Sequence, residues 1–100
     1  MIRAEQISIK NDEYRKRLSG CKVLLTSALA HSEDKGLVLE AVRNFHTFNR
    51  DNDPYGEHDF GSLEINGTTY FWKFDYYDDT YECFQEDGHR VLTIGRMDEY

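Results

Sequence analysis

Between Asn52 and Gly61 the chain reads NDPYGEHDFG, which holds its only proline, two glycines, three carboxylates, a histidine and two aromatics. Asp53, Glu57, His58 and Asp59 are the residue types of a metal site or an acid–base pair, because imidazole titrates near neutral pH and carboxylates flank it. A metal here would need further ligands, with Asp75, His46 and His89 as the candidates, yet no H-x-x-E-H or C-x-x-C spacing supplies them. On an extended chain neighbouring side chains point apart, so His58 is expected to face away from Glu57 and Asp59. A calcium loop counted from Asp51 has carboxylates at its first and third positions and Gly56 at its sixth. It fails because Tyr55 takes the fifth position and Ser62 the twelfth, where a bidentate glutamate is required.

A structural reading explains the same residues. Asn and Asp side chains bond their own backbone, Pro54 fixes a turn, and Gly56 and Gly61 permit unusual angles. The loop is therefore expected to be a clasp, with His58 and Asp59 pinning it to a sheet. No catalytic residue, metal or cofactor is expected. The alternative is a small metal-dependent enzyme built on Asp53, Glu57, His58 and Asp59. Elsewhere the chain has no G-x-S-x-G, no Walker loop and no G-x-G-x-x-G. Arg15-Lys16-Arg17 stands beside Asp12 and Glu13 and reads as a solvated helix face rather than a nucleic-acid contact. Cys21 and Cys83 are expected to be free thiols, Cys21 as a small core residue.

Charge is unevenly distributed. The chain carries a net charge of −7, but residues 1–50 have nine Lys/Arg against six Asp/Glu, whereas residues 51–87 have eleven Asp/Glu against Lys73 alone. From Asp75 to Asp87 six carboxylates occur without a Lys or Arg, interleaved with Tyr76, Tyr77, Tyr81 and Phe84. Concentrated like charge destabilises a compact chain, so such a segment is either a solubilising surface or a docking one. As a docking surface it would comprise Asp75, Asp78, Asp79, Glu82, Glu86 and Asp87, with Tyr77 and Tyr81 as apolar anchors. Alternate residues of a strand lie roughly 6.6 Å apart, the scale of successive phosphates. Such a surface suits a basic groove.

The elements that must position these groups follow from periodicity. Residues 3–19 read as a helix through Ile7, Tyr14 and Leu18, closed by Gly20. CKVLLT at 21–26 reads as a buried strand. Ser32 suits an N-cap, followed by a helix whose apolar face runs through Leu37, Val38, Ala41, Val42, Phe45 and Phe48 and which must end before Pro54. Asn66-Gly67 between GSLEI and TTYFWKFDYY is a hairpin signal, with Tyr70, Trp72, Phe74 and Tyr76 on one face as core. RVLTI at 90–94 is a last strand. One hundred residues fit a single domain, 1–100. Its expected class is α+β: two helices packed on one face of a three- to four-stranded, mainly antiparallel sheet, with residues 62–76 as the central hairpin. No apolar run is long enough for a bilayer and no leader sequence is visible, so a cytoplasmic location and no membrane partner are expected.

NDEYR at 11–15, LT at 25–26, DNDPYGEHDFG, WKFDYYD at 72–78 and RVLTI together resemble a bacterial family known as domain of unknown function 3768. Its members are small proteins found mainly in proteobacteria, often on mobile elements. The resemblance implies a mobile-element setting. Joined to the acidic segment, it gives the expected function: an intracellular inhibitor of a host defence nuclease, of anti-CRISPR or anti-restriction type, acting as a DNA mimic. The expected partner is a basic nucleic-acid-binding protein of the host, with no direct contact to nucleic acid.

Overall fold

The computed structural model describes residues 3–81, 83–85 and 88–100. The expected docking residues Glu82, Glu86 and Asp87 lie outside the described residues. Helix α1 spans Arg3–Arg17, strand β1 Lys22–Leu25, a one-turn helix α2 Ser27–Ala30, and helix α3 Lys35–Arg43. Strands β2 (Phe60–Ile65), β3 (Thr68–Tyr77) and β4 (His89–Arg96) follow, and a 3-10 turn, Met97–Glu99, ends the chain. The sheet order is β1-β4-β3-β2. β2–β3 and β3–β4 pair antiparallel, while β1 pairs parallel with β4 from Lys22 opposite Val91 to Leu25 opposite Ile94. The fold is α+β with a mixed sheet.

The hairpin forms where Asn66-Gly67 demanded it. Asn66 takes φ 51° and Gly67 φ 81°, the two positive angles of a type I′ turn, which matches strand twist. β2 nevertheless lies at the sheet's edge, so the centre is β3 with β4 rather than the 62–76 hairpin alone. On the covered face Tyr70, Trp72, Phe74 and Tyr76 join Leu92 and Ile94 against Ile7, Leu29, Val38 and Val42. On the other face Phe71 is buried beneath the edge-on ring of Tyr100, at 5.0 Å.

Four local expectations need correction. β1 is an edge strand rather than a buried one, with Leu24 44% exposed, because only β4 pairs with it. α3 stops at Arg43, so Phe45 and Phe48 reach the core from the segment after it, and Leu37 is exposed beside the buried Val38–Val42 stripe. Asp34, rather than Ser32, stands at the start of α3; the Ser32 hydroxyl instead accepts the Asp34 N–H at 3.0 Å. The largest departure is Arg15, which is 1% exposed, whereas Lys16 and Arg17 face solvent as expected. The buried stripe of α1 is Ile7, Asn11 and Arg15, one residue per turn.

Candidate functional site

The loop after α3 is first a structure that bonds to itself. Asn49 Oδ1 accepts the N–H groups of Asp51 and Asn52, at 2.9 and 3.1 Å, and Asn52 Oδ1 accepts that of Asn49 at 2.8 Å. The chain then passes through Pro54 and Gly56 to His58, which is held at φ 54°. That angle is costly for a residue with a Cβ and persists only where surroundings enforce it. Here Asp53 Oδ1 accepts the His58 N–H at 3.0 Å, and the imidazole stacks on Phe48 with ring centres 3.8 Å apart. Its Nδ1 lies 3.0 Å from both carboxylate oxygens of Asp12 on α1, and its Nε2 lies 3.5 Å from Asp53 Oδ2. The Asp59 backbone carbonyl then fixes the exit by accepting the Phe74 N–H at 2.9 Å.

The clasp is anchored in a buried polar network that sequence reasoning missed. Arg15 donates through Nη1 to Asp12 at 2.9 Å, through Nε to the Val42 carbonyl at 3.1 Å and through Nη2 to the Phe45 carbonyl at 2.8 Å. Its guanidinium carbon stands 4.8 Å over Trp72. Asn11 donates to the Tyr76 hydroxyl and to the Glu57 carbonyl, and accepts from Arg90 Nε at 2.6 Å. Burial, offset by the Asn11 bond, pushes the Tyr76 hydroxyl well above the usual phenol range. Next to this network β2 approaches Trp72 so closely that a Cβ on Gly61 would sit 2.4 Å from the indole nitrogen.

Of the candidate ligands, the structure brings Asp53 and His58 together. Glu57 offers its backbone carbonyl to Asn11, Asp59 opens onto a separate cleft, and His46 bonds the Asn44 carbonyl on an exposed stretch. His89 lies at the far end of β4, where it meets Asp79. Among the described residues no group of three or more His, Cys, Asp or Glu side chains is placed to hold a metal ion.

The acidic segment is assembled at the end of β3. Asp78 accepts the Thr80 N–H and hydroxyl, which tightens a turn that sets Tyr81 at φ 61°. Asp79, 98% exposed in its side chain, pairs with His89 Nε2 at 2.7 Å. Tyr81 stacks on His89 with centroids 5.2 Å apart and stands 6.3 Å from Tyr77. The structure also brings in cations that the local sequence lacks: Lys22 Nζ lies 5.8 Å over the Tyr81 ring, and Lys73 pairs with Asp75 at 3.2 Å. Strand pairing brings Lys22 to this end of the sheet, since Lys22, Val91 and Asp75 share a row, whereas Lys73 and Asp75 meet because alternate residues of β3 share a face.

On the outer edge of β3, beyond the start of β2, Phe84 bridges to Tyr77 and Gln85 donates its N–H to the Tyr76 carbonyl. Between Phe84 and Asp59 lies a cleft of about 360 Å³, with Phe74, Asp75, Tyr76 and Tyr77 as its other walls. Burial, together with the nearby charges of Asp53 and Asp75, raises the Asp59 carboxyl above the usual range. A second hollow of the same volume, beside the hairpin, is polar, with His31, Ser32, Tyr70 and Arg96 among its walls.

A family model described as "Protein of unknown function (DUF3768)" matches residues 25–99. The chain belongs to this family. The match begins at the end of β1, so it includes the clasp loop, the hairpin and the acidic end but not the NDEYR block of α1. No curated protein and no solved structure matches the chain. No helix among the described residues is long and apolar enough to cross a membrane.

Proposed function

We propose that this family member is a small acidic binding protein of the cytoplasm. It docks onto a basic nucleic-acid-binding protein of the host through the end of the sheet formed by Asp75, Tyr77, Asp78, Asp79 and Tyr81. In this reading the surface is a nucleic-acid mimic, and the protein inhibits a defence nuclease of anti-CRISPR or anti-restriction type, as a mobile element would use it. The observation that carries the reading is the exposure of aromatic rings at the same end of the sheet as an exposed carboxylate: Tyr81 is 45% and Phe84 73% exposed, and Tyr81 stacks on the His89 that pairs with the almost fully exposed Asp79. A ring left exposed gains little from burial within its own chain, and interfaces draw much of their binding energy from such aromatic anchors. Opposed charge would speed association and make it salt-dependent.

The metal-dependent alternative on Asp53, Glu57, His58 and Asp59 has less support, because both ring nitrogens of His58 already face carboxylates and Asp59 opens elsewhere. The docking reading is tested by affinity capture from the host at low and at high salt, with the chain and with an Asp79→Lys, Tyr81→Ala variant as baits. Nucleic-acid-binding proteins captured by the chain at low salt and lost with the variant support it. Partners of another kind, or capture that the variant retains, contradict it.

A further inference from the structure

We infer that the cleft between Asp59 and Phe84 receives one arginine side chain of the docking partner, the rings of Tyr77 and Phe84 taking the guanidinium face and Asp59 and Asp75 its edge. The inference rests on the docking reading above and names the chemistry of one subsite within it.

Of the six residues around the cleft, four are aromatic and two are carboxylates; Phe74 and Tyr76 are buried in the core, which leaves the rings of Tyr77 and Phe84 as the accessible aromatic surface beside Asp59 and Asp75. At about 360 Å³ it lies at the small end of ligand pockets, which span roughly 300–1,000 Å³. That is a size for one side chain rather than a cofactor. Guanidinium suits these walls better than ammonium does: it is planar, it stacks on rings, and its fork matches carboxylate oxygens. Asp75 already pairs with Lys73, but both side chains are over one-third exposed, and a pair so exposed is weak and readily exchanged. Asp59 differs: among the described residues no cation lies within ion-pair distance of it. Burial first, and then the charges of Asp53 and Asp75, raise its carboxyl, so folding alone disfavours the charge that an incoming guanidinium would stabilise. Groups held in an unfavourable charge state beside a cleft tend to mark binding sites. Phe84 at the mouth is largely exposed, and an occupant would cover it.

The probe is N-acetyl-argininamide titrated into the full chain and followed by amide nitrogen–proton shifts, with N-acetyl-citrullinamide as its neutral isostere. The expected result is saturable shifts confined to Asp59, residues 74–77 and Phe84, with citrulline binding weaker by about tenfold or more because it cannot form charge-assisted bonds. Asp59→Asn, which should fold at least as well as the parent, is expected to abolish the localised shifts. Equal shifts with citrulline, shifts scattered over the whole acidic surface, or shifts unchanged in Asp59→Asn would each overturn the assignment. The two readings fail separately. If the Asp79→Lys, Tyr81→Ala variant loses its partners but arginine produces no localised shifts, the subsite is wrong and docking stands. Localised shifts without any nucleic-acid-binding partner would leave the subsite standing and remove the mimic.

Discussion

Arg15→Ala should be among the most damaging single substitutions in this chain. The guanidinium is buried under Trp72 and Phe48, and its loss removes three hydrogen bonds at once. The consequences differ by partner. The Val42 carbonyl keeps the Phe45 N–H, and Asp12 keeps His58, so neither is abandoned. The part-buried Phe45 carbonyl loses its Arg15 donor, and leaving such a group unsatisfied costs about 1–3 kcal/mol. Loss of a desolvated contact between cation and ring adds about 2 kcal/mol. Together these give roughly 3–5 kcal/mol, out of the 5–15 kcal/mol that a domain of about this size typically has. At a urea dependence of about 2 kcal/mol per molar, the unfolding midpoint should fall by roughly 1.5–2.5 M. Trp72 is the only tryptophan, so its fluorescence reports the transition directly. Arg15→Met, which keeps the apolar stem over the rings, should lose about half as much. A loss below about 1 kcal/mol for Arg15→Ala, the size of an ordinary surface change, would refute the buried network.

Gly67→Val should cost of order 1 kcal/mol or more, because a β-branched residue resists the positive φ of the hairpin turn; an unchanged melting temperature would contradict that turn. Asp59→Asn should stabilise the protein at neutral pH. The folded-state carboxyl is raised, so the folded chain holds its proton more tightly than the unfolded chain, and stability falls as pH rises from the ordinary carboxylate value through the raised one. The gain over the parent, read by thermal melts, should therefore shrink on acidification towards pH ~4. With a thiol-reactive dye, exposed Cys83 should label rapidly and Cys21 slowly, since burial raises the Cys21 thiol; equal rates would contradict the packing around β1. Elemental analysis of the purified protein should show no stoichiometric zinc, manganese or iron, and finding one would favour the metal-dependent alternative.

Legibility followed the strength of local signals. Asn66-Gly67 fixes a register without help from the rest of the chain, and the alternation from Tyr70 to Tyr76 picks the covered face. α1 misled because its buried stripe carries on from Ile7 through two polar residues. An apolar count selects Tyr14 and Leu18, whereas four-residue steps select Asn11 and Arg15. The visible hint was NDEYR itself, with amide and guanidinium one turn apart on a helix poor in apolar residues. Apart from Asp12, three positions before Arg15, their partners are carbonyls and side chains 27 to 79 positions away, which nothing nearby announces. The parallel pairing of β1 with β4 was hidden for the same reason: it joins the chain's first and last strands. That pairing also places Lys22 beside Tyr81, which no reading of residues 75–87 alone could show.

The docking claim is tested most directly by measuring, at about 0.1 M and about 1 M salt, how tightly a captured host partner binds the parent chain and the Asp79→Lys, Tyr81→Ala variant, since the screening length falls from about 10 Å to about 3 Å between them. The expected result is a nucleic-acid-binding partner whose affinity for the parent drops steeply with salt and which the folded variant no longer binds. A partner bound equally by both proteins, or with no dependence on salt, would contradict it.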